Sequence, residues 1–103
     1  MKYFDWDELK NAKLLSERGI SFADVQTAIE NGKVLEDKVH PNTNKYPNQK
    51  MLVIEINNYA YLVPYVEDDA KIFFKTIVPS RKATKEFLKN EGKEKNNEQQ
   101  STL

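Results

Sequence analysis

Two β-rich runs separated by the dipeptide Asn57-Asn58 limit the folds open to this chain of 103 residues more than any other feature. The runs are residues 51–56, MLVIEI, and residues 59–66, YAYLVPYV. Asparagine tolerates a positive φ, so this pair is typical of the two-residue turn of a β-hairpin. Pro64 cannot donate to a ladder of hydrogen bonds, and we therefore expect it near a strand end or a sheet edge.

Further strands are predicted on both sides of the hairpin. Residues 34–39 are compatible with a short strand, and residues 71–78 form the next run after Glu67-Asp68-Asp69. The three acids indicate a solvated turn, because an oxygen-ligand cation site needs residues from more than one segment. The period of two in residues 71–78 places Ile72, Phe74 and Thr76 on one face and Phe73, Lys75 and Ile77 on the other.

The N-terminal part of the chain predicts two short helices. Asp5, followed three residues later by Glu8, is expected to cap a helix that runs to about Arg18, with Gly19 as its stop. The apolar residues expected on one face of this helix are Leu9, Ala12 and Leu15, with Trp6 in the core near its start.

A second helix is predicted after a capping box, in which the side chains of Ser21 and Asp24 bond to each other's backbone N–H groups. Phe22, Val25 and Ile29 follow at helical spacing, and Asn31-Gly32 ends the helix. Ser80 is the expected N-cap of a final helix that ends at Gly92, with Ala83, Phe87 and Leu88 facing inward.

The predicted fold class is therefore α+β: an N-terminal helix pair, an antiparallel sheet of three to four strands and a C-terminal helix. A chain of this length fits one domain, which we assign to residues 1–92. Residues 93–103 are polar and lack aromatic side chains, so they predict a flexible tail.

Composition excludes several classes of function. Cysteine is absent and histidine occurs once, so neither a disulfide framework nor a bound metal or other cofactor is expected. No apolar run approaches the ~20 residues of a membrane span, and the N-terminus lacks the apolar core of a signal peptide. A cytoplasmic protein with no membrane partner is the expectation.

Positive charge is concentrated near the C-terminal end, although the formal net charge of the chain is zero. Residues 1–40 carry a net charge of −2, whereas residues 71–90 carry six Lys or Arg against one acid, a net charge of +5. Such a local field attracts phosphate groups. A solvated helix face is the alternative explanation.

Basic and aromatic residues of the later segments suggest a metal-free RNA-cleaving site. Cations neutralise the phosphate and aromatic faces stack on bases. Tyr59, Tyr61 and Tyr65 share parity on one strand, and the predicted sheet places Lys75 on a neighbouring strand. Alternatively, the tyrosines belong to the sheet core or surface and the basic residues serve solubility.

Three segments resemble the BrnT family of bacterial type II toxins. They are FDWDELKN at residues 4–11, RGISFAD at 18–24 and KTIVPSRKATK at 75–85. The resemblance covers about residues 3–90. It implies a RelE-like ribonuclease fold, metal-independent endoribonuclease activity that arrests translation, and a cognate antitoxin from the same operon. DNA would be bound only indirectly, through that antitoxin.

For such a reaction we expect Arg81 and Lys75 to stabilise the phosphate, because the guanidinium of Arg81 matches two phosphate oxygens. His40, Lys45 and Tyr46, in the Pro- and Asn-rich segment 40–49, are the candidates for proton transfer. The remaining substrate-binding candidates are Lys82, Lys85, Tyr61 and Tyr65. A non-catalytic module of the same fold, which binds an antitoxin or a nucleic acid, is the alternative.

Overall fold

The computed structural model describes residues 2–89 of the chain. Two helices follow a short first strand, five further strands follow the helices, and a short helix ends the described part. The elements are β1 (Tyr3–Asp5), α1 (Glu8–Arg18), α2 (Phe22–Glu30), β2 (Val34–Val39), β3 (Lys50–Ile56), β4 (Tyr59–Glu67), β5 (Lys71–Phe74), β6 (Val78–Pro79) and α3 (Arg81–Thr84), which continues as a π-helical segment, Lys85–Lys89.

The predicted α+β arrangement is confirmed, but the sheet is larger and less regular than expected. Its strand order is β1-β5-β4-β3-β2, and β6 also pairs with β4. It has six strands where three to four were predicted, and it is mixed because β1 adds to the edge of β5 in parallel, with Phe4 opposite Ile72. The end of the final helix, Gly92, and the tail at 93–103 lie outside the described residues.

Helix α1 is capped by Asp7 and not, as predicted, by Asp5. The Asp7 carboxylate accepts the backbone N–H groups of Leu9 and Lys10 at 2.9 and 3.3 Å. Asp5 instead ends β1, where it pairs with the ammonium of Lys71 at 3.4 Å. At the other end, Gly19 has a φ of 70°, so the predicted left-handed stop is confirmed.

The inward stripe of α1 consists of Asn11, Leu14 and Arg18, not of the predicted apolar residues. Only Leu14 is buried, and Leu9 remains 84% exposed. Asn11 accepts the backbone N–H of Phe22 at 2.7 Å, and Arg18 donates to the carbonyl of Ile77. Because two of the inward side chains serve the backbone of other segments, the apolar pattern of Leu9, Ala12 and Leu15 predicted the wrong face.

Helix α2 begins as the sequence predicts. Ser21 accepts the backbone N–H of Asp24 at 3.2 Å, and the Asp24 carboxylate accepts the N–H of Ser21 at 2.9 Å. This reciprocal box satisfies two backbone donors at the helix start. Phe22 and Val25 are fully buried, so α2 supplies most of the helical contribution to the core.

The hairpin of β3 and β4 is confirmed, with Asn57 and Asn58 at φ values of 55° and 64°. Pro64 lies in the middle of β4 rather than near its end, opposite Met51. The β5 ladder pairs with β4 at residues 65–67 and the β6 ladder at residues 61–62, so Pro64 falls between the two ladders. The Pro64 carbonyl still accepts the backbone N–H of Lys75 at 2.8 Å, and a missing donor is tolerated there because neither ladder extends to Pro64.

The predicted continuous strand 71–78 is interrupted at residues 75–77, between the β5 and β6 ladders. The chain leaves the ladder after Phe74 and rejoins β4 at Val78. Three residues without strand geometry separate β5 from β6, which shifts the alternation of faces. Ile77 is consequently buried in the same core cluster as Phe74, contrary to the predicted parity.

The sheet has a helix on each face. On what we call the helix-pair face, α1 and α2 cover the larger core cluster, which includes Phe22, Ile54 and Phe74. On the opposite face, called the α3 face, a smaller cluster joins Val53 and Ala60 to Ala83 of α3. Every candidate site residue on the sheet can therefore be assigned to one face or the other.

Candidate nucleic-acid interface

The start of α3 is fixed to the sheet by hydrogen bonds. Ser80 donates its backbone N–H to the carbonyl of Ala60 at 3.0 Å, and its hydroxyl accepts the N–H of Ala83 at 3.0 Å. The predicted N-cap is thus confirmed. Thr84, which is 5% exposed, accepts the N–H of Ala60 at 2.9 Å and donates to the carbonyl of Ser80 at 2.8 Å.

Four basic side chains surround this fixed corner. Lys75 lies in the gap between β5 and β6, and Arg81, Lys82 and Lys85 lie on the helix that follows. All four are exposed, and within residues 2–89 none of them forms an ion pair. The ammonium of Lys75 lies 5.6 Å from the ring centre of Phe73. Their charge is therefore available to an anionic ligand.

A groove of about 440 Å³ runs along the α3 face between the helix and the loop of residues 40–49. Its floor is apolar and its rim is polar. The apolar lining comes from Pro41, Val53, Leu62, Ala83 and Phe87, and the polar lining from Lys38, Ser80, Lys82 and Glu86. A groove with an apolar floor and two lysines on its rim suits a base and its phosphate.

Lys38 is a functional candidate that the sequence alone does not reveal. Its ammonium pairs loosely with Glu36 at 3.6 Å on the exposed edge strand β2. The alternation of β2 places Lys38 on the α3 face, where it lines the groove together with Lys82. The order of the strands is what brings these two lysines, 44 positions apart in the chain, to one groove.

The predicted proton-transfer residues form a cluster of their own in the loop. The rings of His40 and Tyr46 lie 4.5 Å apart, and the Lys45 ammonium is 5.4 Å from the Tyr46 ring centre. Asn42 organises the loop, because its carbonyl accepts the N–H of Tyr46 at 2.9 Å and its side chain accepts that of Lys45 at 3.2 Å.

The hydrogen bonding of His40 limits its chemistry. Its Nδ1 accepts the backbone N–H of Asn42 at 3.0 Å. A neutral imidazole with Nδ1 as acceptor carries its proton on Nε2. In this arrangement the Nδ1 lone pair is occupied by the loop backbone, so Nε2–H is left to donate a hydrogen bond to a ligand.

The loop cluster and the basic corner are not joined by direct contacts. In the described part of the chain, no hydrogen bond, ion pair or ring contact connects His40, Lys45 or Tyr46 to Lys75 or Arg81. The link between them is the groove, because Pro41 lines it beside the loop and Lys82 lines it beside the helix.

The two tyrosines predicted to bind substrate lie on the other side of the sheet. Tyr59 and Tyr61 share a side as predicted, with ring centres 5.6 Å apart, and Tyr61 packs against the helix-pair core. Tyr65 is 3% exposed and belongs to that core. This burial corrects the expectation that Tyr65 stacks on a base, and the sheet separates both Tyr61 and Tyr65 from Lys82.

The acidic run Glu67-Asp68-Asp69, which begins at the last residue of β4, bonds to the turn backbone and to neighbouring lysines. The ammonium of Lys2 lies 2.6 Å from the Glu67 carboxylate and holds its pKa below the ordinary value, with help from Lys50 at 3.4 Å. Asp68 accepts the N–H groups of Ala70 and Lys71, and these bonds lower its pKa. Among residues 2–89, no group of His, Asp or Glu side chains is arranged to hold a metal ion.

No helix in the described part of the chain is both long enough and apolar enough to cross a membrane.

No protein-family model matches the chain, and comparison with curated proteins and with solved structures yields no match. The candidate site therefore rests on its own geometry: four exposed basic side chains at a fixed corner, and a groove lined by Lys82 from the helix and by Pro41 from the loop.

Proposed function

We propose that the protein is a cytoplasmic, BrnT-like toxin of a type II toxin–antitoxin pair that cleaves RNA without a metal ion. The observation that carries the proposal is the set of exposed cations at Lys75, Arg81, Lys82 and Lys85, which form no ion pair within residues 2–89, beside a groove with an apolar floor. The resemblance of residues 75–85 to the family segment falls on the same corner.

In the proposed reaction, the ribose 2′-OH attacks the adjacent phosphorus while a base accepts its proton. Lys75 and Arg81 stabilise the charge of the pentacoordinate intermediate. An acid then protonates the leaving 5′-oxygen, so that the products are a 2′,3′-cyclic phosphate and a free 5′-OH. His40, Lys45 and Tyr46 are the candidates for the base and the acid.

Purified protein should therefore cleave RNA in the presence of EDTA and leave cyclic or 3′-phosphate ends. Removal of one phosphate contact by Arg81→Ala or Lys75→Ala should lower the rate by about 10²–10³, by analogy with the loss of an oxyanion donor. Lys13→Ala, an exposed lysine on α1, is the matched control. Cleavage that needs added Mg²⁺ and yields 5′-phosphate ends would contradict the proposal.

Growth after induced expression tests the biological role. The wild-type chain should slow growth in the absence of an antitoxin, and Arg81→Ala together with Lys75→Ala should relieve the effect. Equal soluble levels of the variants and of Lys13→Ala exclude misfolding as the cause. A soluble double variant that remains fully toxic would remove both residues from the mechanism.

A second candidate is a non-catalytic module that binds RNA or an antitoxin through the same face. The separation of the loop cluster from Lys75 and Arg81 favours it, since a catalytic site brings acid, base and cations to one phosphate. RNA binding that depends on Arg81 but gives no product at any pH would favour the module over the nuclease.

The basic corner also supports the kind of antitoxin that we propose as a partner. An acidic segment laid over Lys82 and Lys85 would gain electrostatic attraction and block RNA from the groove. Charge reversal at both lysines should then weaken the complex, and the loss should shrink as salt is added. Unchanged affinity across a salt series would place the antitoxin elsewhere.

A further inference from the structure

The helix-pair face carries a second groove, of about 260 Å³, at the end of the sheet that α1 and α2 leave uncovered. It is distinct from the α3-face groove because the sheet separates them. Its apolar lining comes from Phe4, Ile29, Val34, Leu52 and Ile72, and its polar lining from Asp37, Tyr65 and Glu67. We call it the edge groove, since Val34 and Asp37 belong to the outer strand β2.

Asp37 gives the edge groove a negative charge that the described protein does not neutralise. The Tyr65 hydroxyl donates to its carboxylate at 2.7 Å. Burial, and then this hydrogen bond, raise the pKa of Tyr65 above its ordinary value, so the phenol stays neutral and donates a hydrogen bond to the Asp37 carboxylate. Within residues 2–89, Asp37 has no ion pair, whereas Glu67 has two.

The strand beside the groove is open to a further strand. β2 is the last strand in the sheet order, so one edge of its backbone has no neighbour among residues 2–89. Val34 and Val39 are 39% and 64% exposed along it. Extended peptides add to such edges through main-chain hydrogen bonds and place alternate side chains in adjoining pockets.

We propose that the edge groove receives a lysine or arginine side chain from an extended segment of a partner protein that pairs with β2. The alkyl stem would lie against Ile29 and Leu52, and the cationic head would meet Asp37. RNA does not fit this site, because the Asp37 carboxylate repels phosphate. The inference goes beyond the proposed function and does not depend on RNA cleavage.

A second copy of this chain does not supply the required cation. Two identical antiparallel strands related by a two-fold axis place residues of like parity opposite each other, on one face of the sheet. Asp37 would then face Asp37 or Val39, and Lys38 would point to the α3 face. The occupant is therefore a different strand, with a basic residue at the position opposite Asp37.

Titration of the whole protein with five-residue peptides tests the proposal. Each peptide has two valines on either side of a central residue, which is arginine, norleucine or glutamate, and both ends are blocked. Butylguanidinium, which has the arginine head and alkyl stem without a peptide backbone, is the fourth probe. Backbone amide NMR shifts locate the binding site and give the affinity. The arginine peptide should move the amides of β2 and of Ile29 and bind more tightly than the other three probes.

Two variants and a control connect the binding to the groove. Asp37→Asn keeps an acceptor for Tyr65 but removes the charge, and should weaken the arginine peptide about threefold to fivefold, as for a surface ion pair. Val34→Phe fills the groove from an exposed position and should weaken both the arginine and norleucine peptides. Glu17→Gln, an equal charge loss on exposed α1, should change neither.

Several outcomes would overturn the proposal. These are equal affinity for the arginine and glutamate peptides, shifts confined to the α3 face, an unchanged affinity in Asp37→Asn, or no binding by the arginine peptide. Butylguanidinium that binds as tightly as the arginine peptide would assign the groove to a small cation and not to a strand. If the free protein dimerises and Val34→Phe abolishes the dimer, the edge of β2 binds a second copy of this chain.

Discussion

The guanidinium of Arg18 donates to the backbone carbonyl of Ile77 at 2.5 Å, across 59 positions of the chain. The carbonyl belongs to the gap between β5 and β6, where no ladder is available to satisfy it. The last residue of α1 thus fixes the segment that carries Lys75 and leads to Arg81. The geometry of the basic corner depends on a helix on the opposite face of the sheet.

Arg18→Met should therefore lower stability without removing any residue of the corner. The substitution keeps an apolar stem but leaves the Ile77 carbonyl to water, and we expect a loss of about 1 kcal/mol in the free energy of unfolding. Urea unfolding followed by the fluorescence of Trp6, which packs against Phe22 and Phe74, measures it. Lys13→Met should change the value by less than about 0.5 kcal/mol. Equal losses of stability in Arg18→Met and Lys13→Met would show that the Arg18 hydrogen bond does not stabilise the fold.

Thr84 should be more sensitive to loss of its hydroxyl than to loss of its methyl group. Thr84→Val keeps the shape but leaves the buried N–H of Ala60 without an acceptor, at a cost of about 2 kcal/mol. Thr84→Ser keeps both hydrogen bonds and loses one buried methyl group, at a cost of about 1 kcal/mol. Urea unfolding of both variants gives the comparison. A serine variant less stable than the valine variant would contradict the role of the hydroxyl.

Tyr65 should make the protein less stable in strong alkali. Its pKa in the folded state is raised above the ordinary value of 10.0, first by burial and then by the hydrogen bond to Asp37. The folded state therefore favours the neutral phenol. This contribution is fully present below pH 10 and is lost as the pH rises toward the folded pKa.

Unfolding free energies measured between neutral pH and alkaline pH test this sign. Wild type should lose stability more steeply above pH 10 than Tyr65→Phe, which cannot ionise. At neutral pH the phenylalanine variant should be about 1 kcal/mol less stable, because it loses the hydrogen bond. Parallel curves for the two proteins above pH 10 would show that Tyr65 does not titrate differently on folding.

Charge reversal on α3 should weaken RNA binding in a salt-dependent way. If Lys82 and Lys85 each contact one phosphate, Lys82→Glu with Lys85→Glu should reduce the slope of log affinity against log salt by about 1.4 for a single strand. Lys10→Glu with Lys13→Glu reverses two lysines at the same spacing on α1 and is the control. Fluorescence anisotropy with a labelled oligonucleotide measures both. Equal slopes for the two double variants would show that Lys82 and Lys85 do not contact RNA phosphates.

Local signals predicted the parts of the fold that depend on neighbouring residues. The Asn57-Asn58 turn and the box of Ser21 and Asp24 are set by backbone φ preferences and by side chains three positions apart. Gly19 ends α1 for the same local reason. These features were predictable because nothing distant is needed to satisfy them.

The features that were not predicted depend on contacts between residues far apart in the chain. Residues 3–5 become a strand only because the edge of β5 is free, and Asp5 is drawn from its expected cap toward Lys71. Two of the three inward residues of α1 are polar because Asn11 and Arg18 bond to backbone groups of other segments, whereas Leu14 packs in the core. A periodicity of apolar residues cannot report such contacts.

In the candidate site, too, local features were predicted and long-range contacts were not. The basic residues at Arg81, Lys82 and Lys85 follow directly from the N-cap at Ser80 and were predicted together. The break at residues 75–77 and the order of the strands determined which other residues reach them. For that reason the sequence does not place Lys38 beside the groove and does not reveal that Tyr65 is buried on the opposite face.

Along one edge of β4, β5 pairs on one side of Pro64 and β6 pairs on the other. We expect the two sides to differ in their free energy of local unfolding. The chain from Val78 onward is attached to β4 by two residue pairs and by the bonds from Ser80 and Thr84 to Ala60. We expect this segment to open locally at a lower free energy than the β3–β4 hairpin, with faster amide exchange. The cations of α3 would then move as one unit while the rest of the sheet stays folded.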